Sequence, residues 1–169
     1  GMVLQDTWLS DGTIRDNIAF ARPDATDEEI IAAAKAAHAH SFIKKLPHGY
    51  NTVIGEGGGA LSQGQKQLLC IARIMLTDPE ILILDDATSA LDLATEAKLQ
   101  TALRETLADT TVIMIAQRIA SVRHADRIAV IESDGRILHC APHEELLKIS
   151  ETYRDICASQ RQNVEGGAN

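Results

Sequence analysis

The hydrophobic and polar positions of this chain fall into two periods, and the switches between them outline the elements. A short apolar run over residues 1–4 ends at Gln5 and reads as a strand. Thr26 and Glu29 frame a capping box ahead of an alanine-rich helix over about residues 27–40, and Asp27, Glu28 and Glu29 sit in its positive first turn. A short helix over residues 41–46 stops before Pro47, and residues 52–59 read as a flexible, glycine-rich connection. Ser62 and Gln65 form a second capping box, which opens a helical run to Leu76. After the break at Thr77-Asp78-Pro79, the apolar residues 81–84 predict a strand buried on both faces, tipped by Asp85 and Asp86.

The second half continues the alternation. Asp92 or Thr95 caps a helix to about Leu107, in which Leu99, Leu103 and Leu107 recur at helical spacing as a buried stripe. Residues 110–116 form a β-branched strand ending at Gln117-Arg118. Residues 128–131 and 136–138 flank Ser133-Asp134-Gly135 as a hairpin. Pro142 starts a helix at its first turn, with Glu144 and Glu145 at the positive end and a break near Ser150, running to about Gln160. The tail, residues 161–169, is expected to be disordered.

Two chemical signals stand out from this frame. The Ser62 cap turns the first-turn N–H groups of its helix toward any nearby anion. The carboxylate at the end of a buried strand lies where α/β sheets present ligand chemistry. Composition narrows the field. The chain has 169 residues and 45% hydrophobic content, enough for one domain with a core. A net charge of −8 and only 3% aromatic residues argue against a nucleic-acid partner, since a basic face and base-stacking platforms are both missing. No apolar run approaches the roughly 18–20 residues that span a bilayer, so any membrane link is expected through a partner or another part of the polypeptide. Cys70, Cys140 and Cys157 are odd in number and widely spaced, which reads as structural thiols in a reducing compartment. His38 and His40 do not share a helix face, and no metal site is read from the histidines.

The motifs, taken in order, carry a family resemblance. Leu61-Ser62-Gln63-Gly64-Gln65 resembles the signature of ABC-type ATPases, residues 81–85 resemble their Walker B strand, and Ser89-Ala90-Leu91-Asp92 resembles their D-loop. Val3-Leu4-Gln5-Asp6 is similar to the Q-loop. Residues 8–18 are similar to the exporter segment after it, although Ser10 and Asp11 stand where exporters usually place an aromatic residue. Thr52-Val53-Ile54-Gly55-Glu56 resembles the X-loop of exporters. No Gly-Lys-Ser/Thr follows the glycine run at residues 57–59, so that run is not a P-loop.

The resemblance implies an α/β fold: an incomplete P-loop NTPase (RecA-like) parallel sheet with the ABC helical subdomain, without the P-loop strand and the N-terminal antiparallel sheet. It divides the chain into a Q-loop strand (1–5), a helical signature subdomain (6–77) and a RecA-like core (78–160). It implies ATP and Mg²⁺, with Asp85 and Gln5 at the metal and Asp86, Gln117 and Gln5 around the γ-phosphate. Ser62, Gln63, Gly64 and Gln65 are implied to serve the nucleotide of a second subunit in a head-to-tail dimer, and Asp92 to link the two sites. It further implies a transmembrane domain as partner and a place on the cytoplasmic face of the cell membrane.

Two positions depart from the family. Asp86 stands where a glutamate normally polarises the attacking water, and shortening by a methylene withdraws the carboxylate by about a bond length; a misplacement near 1 Å lowers a rate about a hundredfold. Gln117 replaces the switch histidine and carries no titratable proton. Together they predict a slow site and one half of a heterodimeric exporter; the alternative is a homodimer with two weak sites. The P-loop strand of the family belongs between the strands at 111–116 and 128–131. The 169 residues alone are therefore expected to have negligible ATP affinity and to self-associate or else rearrange locally. A non-transport ABC ATPase and a non-catalytic interaction fragment are the other readings, and the X-loop-like stretch speaks against the first.

Overall fold

Short strands and helices of four to fifteen residues follow one another along the chain. The chain enters on β1 (Met2–Val3) and β2 (Gly12–Thr13), then passes through α1 (Ile14–Ala19), α2 (Asp27–Ala36) and α3 (His40–Ile43). β3 (Val53–Ile54) leads to α4 (Gln63–Met75), β4 (Ile81–Asp85), α5 (Leu93–Thr106) and β5 (Thr111–Ile115). After these come α6 (Ile119–Val122), the strands β6 (Ile128–Ile131) and β7 (Ile137–Ala141), α7 (His143–Ile149) and α8 (Glu151–Glu165). This computed structural model describes residues 1–165. The chain divides into two units, Gly1–Ile115 and Ala116–Asn169.

The first unit is built on a parallel sheet in the order β1-β4-β5, with Val3 opposite Leu84 and Asp85 opposite Ile115. The α/β class with a parallel sheet and a helical part is as the sequence implied. One expectation fails in detail. β4 is not buried on both faces: Leu82 and Leu84 enter the core, Ile83 is half-buried and Ile81 is exposed. A continuous apolar run is compatible with either state, because layers contributed from distant sequence decide whether each face is covered. Among the described residues β5 pairs only with β4, and its Val112, Ile113 and Ile115 are exposed.

α2 ends earlier than the apolar period suggested. His38 adopts a left-handed φ of 57°, its N–H donates to the Lys35 carbonyl at 3.0 Å, and the Ala39 N–H donates to the Ala34 carbonyl at 2.8 Å. This pair of bonds satisfies the last helical carbonyls, with histidine in the place glycine usually takes. The glycine-rich stretch is more ordered than expected. β3 pairs antiparallel with β2, and the Gly57 N–H donates to the Leu9 carbonyl at 3.0 Å. A Cβ at Gly58 would lie 2.8 Å from Leu9 Cδ1, so backbone and core meet there without room for a side chain.

A capping box that the sequence reading missed starts α1. The Asp16 N–H donates to Thr13 Oγ1 at 3.0 Å, and the Thr13 hydroxyl donates to Asp16 Oδ2 at 2.6 Å. The Thr13 hydroxyl bond, followed by the Thr13 N–H, holds the Asp16 carboxyl below its ordinary value. A carboxylate depressed in the folded state contributes stability that is fully present above its unfolded pKa, near pH 4, and lost as pH falls through the folded value. Thr13→Ala is therefore expected to remove about 1 kcal/mol at neutral pH. It should also flatten the acid limb of a urea-unfolding series run from pH 7 to pH 2.

Behind α1 the Arg73 side chain of α4 joins three segments. Its guanidinium lies 5.6 Å from the Trp8 ring centroid and 5.2 Å from that of Phe20. Nε donates to the Asn17 carbonyl at 2.9 Å, Nη1 to the Trp8 carbonyl at 3.2 Å and Nη2 to Asn17 Oδ1 at 3.3 Å. The planar fork suits this combination of stacking and divergent acceptors.

In the second unit β6 and β7 form an antiparallel hairpin, with β7 longer than expected and Gly135 at φ 84° in the turn. Pro142 is the N-cap of α7 rather than its first helical residue, and α8 continues to Glu165, past the expected end. Residues 166–169 of the tail expectation lie outside the described residues. Tyr153 is buried, its hydroxyl 2.8 Å from His143 Nδ1, and burial pushes its pKa up to about 12.

Candidate functional site

The exposed head of α4 follows from its own sequence. Ser62 is extended, its Oγ accepts from the Gln65 N–H at 3.2 Å, and Gln65 Oε1 accepts from the Ser62 N–H at 3.0 Å. The box satisfies two of the N–H groups that a helix start leaves over; those of Gln63 and Gly64 have no partner within the helix. Such a start, with its dipole, suits phosphate oxygens. Gln63 Nε2 donates to Thr7 Oγ1 at 3.2 Å, joining this head to the segment after β1. Gly64 is required by close approach: a Cβ there would lie 3.0 Å from the Ala90 carbonyl oxygen and 3.3 Å from Leu91 Cδ2.

The parallel sheet supplies the second group. β1 and β4 are neighbours, so Gln5, just past β1, and Asp85, the last residue of β4, sit at the same carboxyl edge. Gln5 is exposed and Asp85 half-buried. Asp86 has a left-handed φ of 49°, and its N–H donates to the Ile115 carbonyl at 2.8 Å. The chain turns off the sheet at this residue, a conformation aspartate tolerates better than most side chains.

The turn leads into residues 87–92. The Leu91 N–H donates to the Thr88 carbonyl at 3.0 Å. Asp92 is the N-cap of α5, which decides between the two candidates: its Oδ1 accepts from the Thr95 N–H at 2.9 Å and its Oδ2 from the Thr95 hydroxyl at 2.6 Å. These bonds, the hydroxyl first, hold the Asp92 carboxyl below its ordinary value. Gln117 belongs to the second unit, where its carbonyl accepts from Gln160 Nε2 at 2.6 Å while Gln160 Oε1 accepts from the Ile119 N–H at 2.8 Å.

Of the expected site residues, Gln5, Asp85 and Asp86 lie at the sheet edge, and Ser62 to Gln65 form the head of α4, where Gly64 meets Ala90 and Leu91; Asp92 caps α5, and Gln117 lies in the second unit. Carboxylate and amide oxygens are hard donors of the kind Mg²⁺ takes, and that ion keeps its other positions for water and phosphate. Among the described residues no group of three or more His, Cys, Asp or Glu is placed to hold a metal ion. Sequence reasoning missed Gln67 and Glu96, both buried. The signal for Gln67 was present: an amide on the otherwise apolar stripe of α4.

Comparison with known proteins gives a consistent picture. The model of the ABC transporter family matches residues 1–89. A putative multidrug export ATP-binding/permease protein of Bacillus subtilis is 50% identical over 163 residues, 96% of this chain and 28% of that protein. A fatty acid ABC transporter ATP-binding/permease protein of Mycobacterium tuberculosis is 51% identical over 153 residues, 90% of this chain and 24% of that one. A solved bacterial Atm1-family ABC exporter with ATP bound matches with a TM-score of 0.90 at 40% identity, over 95% of this chain and 28% of that chain. The chain thus spans about a quarter of the length of the curated relatives it matches.

Proposed function

Because the chain belongs to the ABC transporter family, we propose that it forms part of the ATP-binding subunit of an exporter, in which ATP binding and hydrolysis drive transport through a membrane domain. The observation that carries this reading is the placement of Gln5 and Asp85 at one carboxyl edge of the parallel sheet. The capped, exposed head of α4 supports it, as do the export functions in the names of the relatives.

In this reading Asp85 and the Gln5 amide oxygen are the groups that would hold Mg²⁺. An ion held there would supply neutralisation of charge on the phosphate oxygens. Asp86 polarises the attacking water as a weak base, and Gln117 donates a hydrogen bond to the γ-phosphate. Ser62, Gln63, Gly64 and Gln65 face the nucleotide of a second ATP-binding subunit, and Asp92 links the two sites. The short Asp86 carboxylate and Gln117, which carries no titratable proton, support a slow site, paired with a more active one in a heterodimer at the cytoplasmic face of the membrane. The 169 residues by themselves contain no Gly-Lys-Ser/Thr, so they bind ATP negligibly, and the exposed apolar side chains of β5 support their self-association.

The test is ATP turnover by the full-length protein in membranes, alone and co-expressed with a partner subunit. Turnover is expected to be low alone and to rise with the partner. Brisk turnover alone overturns the heterodimer, and no ATP-dependent turnover in either preparation overturns the motor.

A further inference from the structure

Gln67 is 1% exposed, and it is placed on α4 so that both ends of its amide are used by one loop. Its Nε2 donates to Ser89 Oγ at 3.2 Å, and its Oε1 accepts from the Ala90 N–H at 3.1 Å. One turn earlier on the same helix, Gly64 lets the Ala90 carbonyl approach until a Cβ would stand 3.0 Å away. From the other side Glu96 of α5, 2% exposed, accepts from the Thr88 hydroxyl at 2.7 Å. Residues 88–90 are thus pinned from two helices by buried polar side chains that no phosphate role requires.

We propose that Gln67 is a positioning residue: it locks the loop of residues 88–92 to the head of α4, so that the surface offered to the neighbouring nucleotide and the loop move as one rigid joint. A buried amide satisfied at both ends is costly to leave half-paired, so the lock resists partial opening. With α4 serving one nucleotide and residues 88–92 running between the two sites, such a joint passes a displacement at one site to the other without a change in affinity for ATP. This role rests on the function proposed above.

The experiment uses the full-length protein with its partner subunit and the variants Gln67→Leu, Gln67→Glu and Ser89→Ala. Amide exchange of the peptide holding Ala90 is followed together with kcat and KM for ATP. Gln67→Leu is expected to speed Ala90 exchange about tenfold, as the loss of a buried bonded pair raises the opening equilibrium by that order. It is also expected to lower kcat about tenfold with KM unchanged, since an interaction that acts on geometry rather than binding shows in kcat alone. Gln67→Glu keeps the acceptor for the Ala90 N–H and should recover most of the turnover. Ser89→Ala loses one bond at an exposed residue, keeps the fold, and should fall between. Unchanged Ala90 exchange in both Gln67→Leu and Ser89→Ala overturns the joint, as does a rise in KM matching the fall in kcat, or a Gln67→Glu protein no better than Gln67→Leu. If the unaltered protein shows no ATP turnover, it is the proposed function that fails, and Ala90 exchange still decides whether the lock exists.

Discussion

Asp86→Glu is expected to raise ATP turnover of the full-length protein about a hundredfold, because a base returned by about a bond length to its working position recovers what a misplacement near 1 Å loses. The substitution has an opposing effect on the fold. Asp86 sits at a φ of 49°, where a longer L side chain is penalised by roughly 1 kcal/mol, so the variant should unfold at slightly lower urea than the parent. Asp86→Asn separates the two influences: it tolerates the same backbone but cannot accept a proton, and should abolish what turnover remains. If Asp86→Glu lost stability without gaining rate, aspartate would be present for the turn alone and the slow-site reading would be wrong.

The largest effect on stability is expected at Leu99. It is fully buried on α5, in line with Leu103 and Leu107, within the core shared by α4 and β4. Leu99→Ala removes apolar contact and leaves a cavity, at a cost of about 2–5 kcal/mol. Equilibrium urea unfolding followed by circular dichroism should show the midpoint move down with little change in slope. A loss below about 1 kcal/mol would mean that the helices relax into the space.

Local rules made much of this fold readable. The boxes at Thr26 and Ser62 were legible because a cap and its partner lie three residues apart, and the leucine stripe of α5 because helical spacing repeats within one element. The left-handed stop at His38 was hidden, since histidine rather than glycine fills it. Asp16 completes the Thr13 box with an aspartate, not the glutamate or glutamine that signals one. The coverage of β4 depended on layers contributed from elsewhere. At the candidate site, the sheet edge joining Gln5 and Asp85 was legible through the motifs that flank it. The clamp of Gln67 on Ser89 and Ala90 joins positions more than twenty residues apart, and no period or spacing within either segment announces it.

The chain's single tryptophan, Trp8, stands 55% exposed beneath the Arg73 guanidinium, with the Phe20 ring edge-on at 5.1 Å. Its indole therefore works as a built-in optical reporter. Light emitted from one position follows whether the segment after β1, α1 and α4 remain assembled, with no dye attached and no second fluorophore of its kind to confuse the signal.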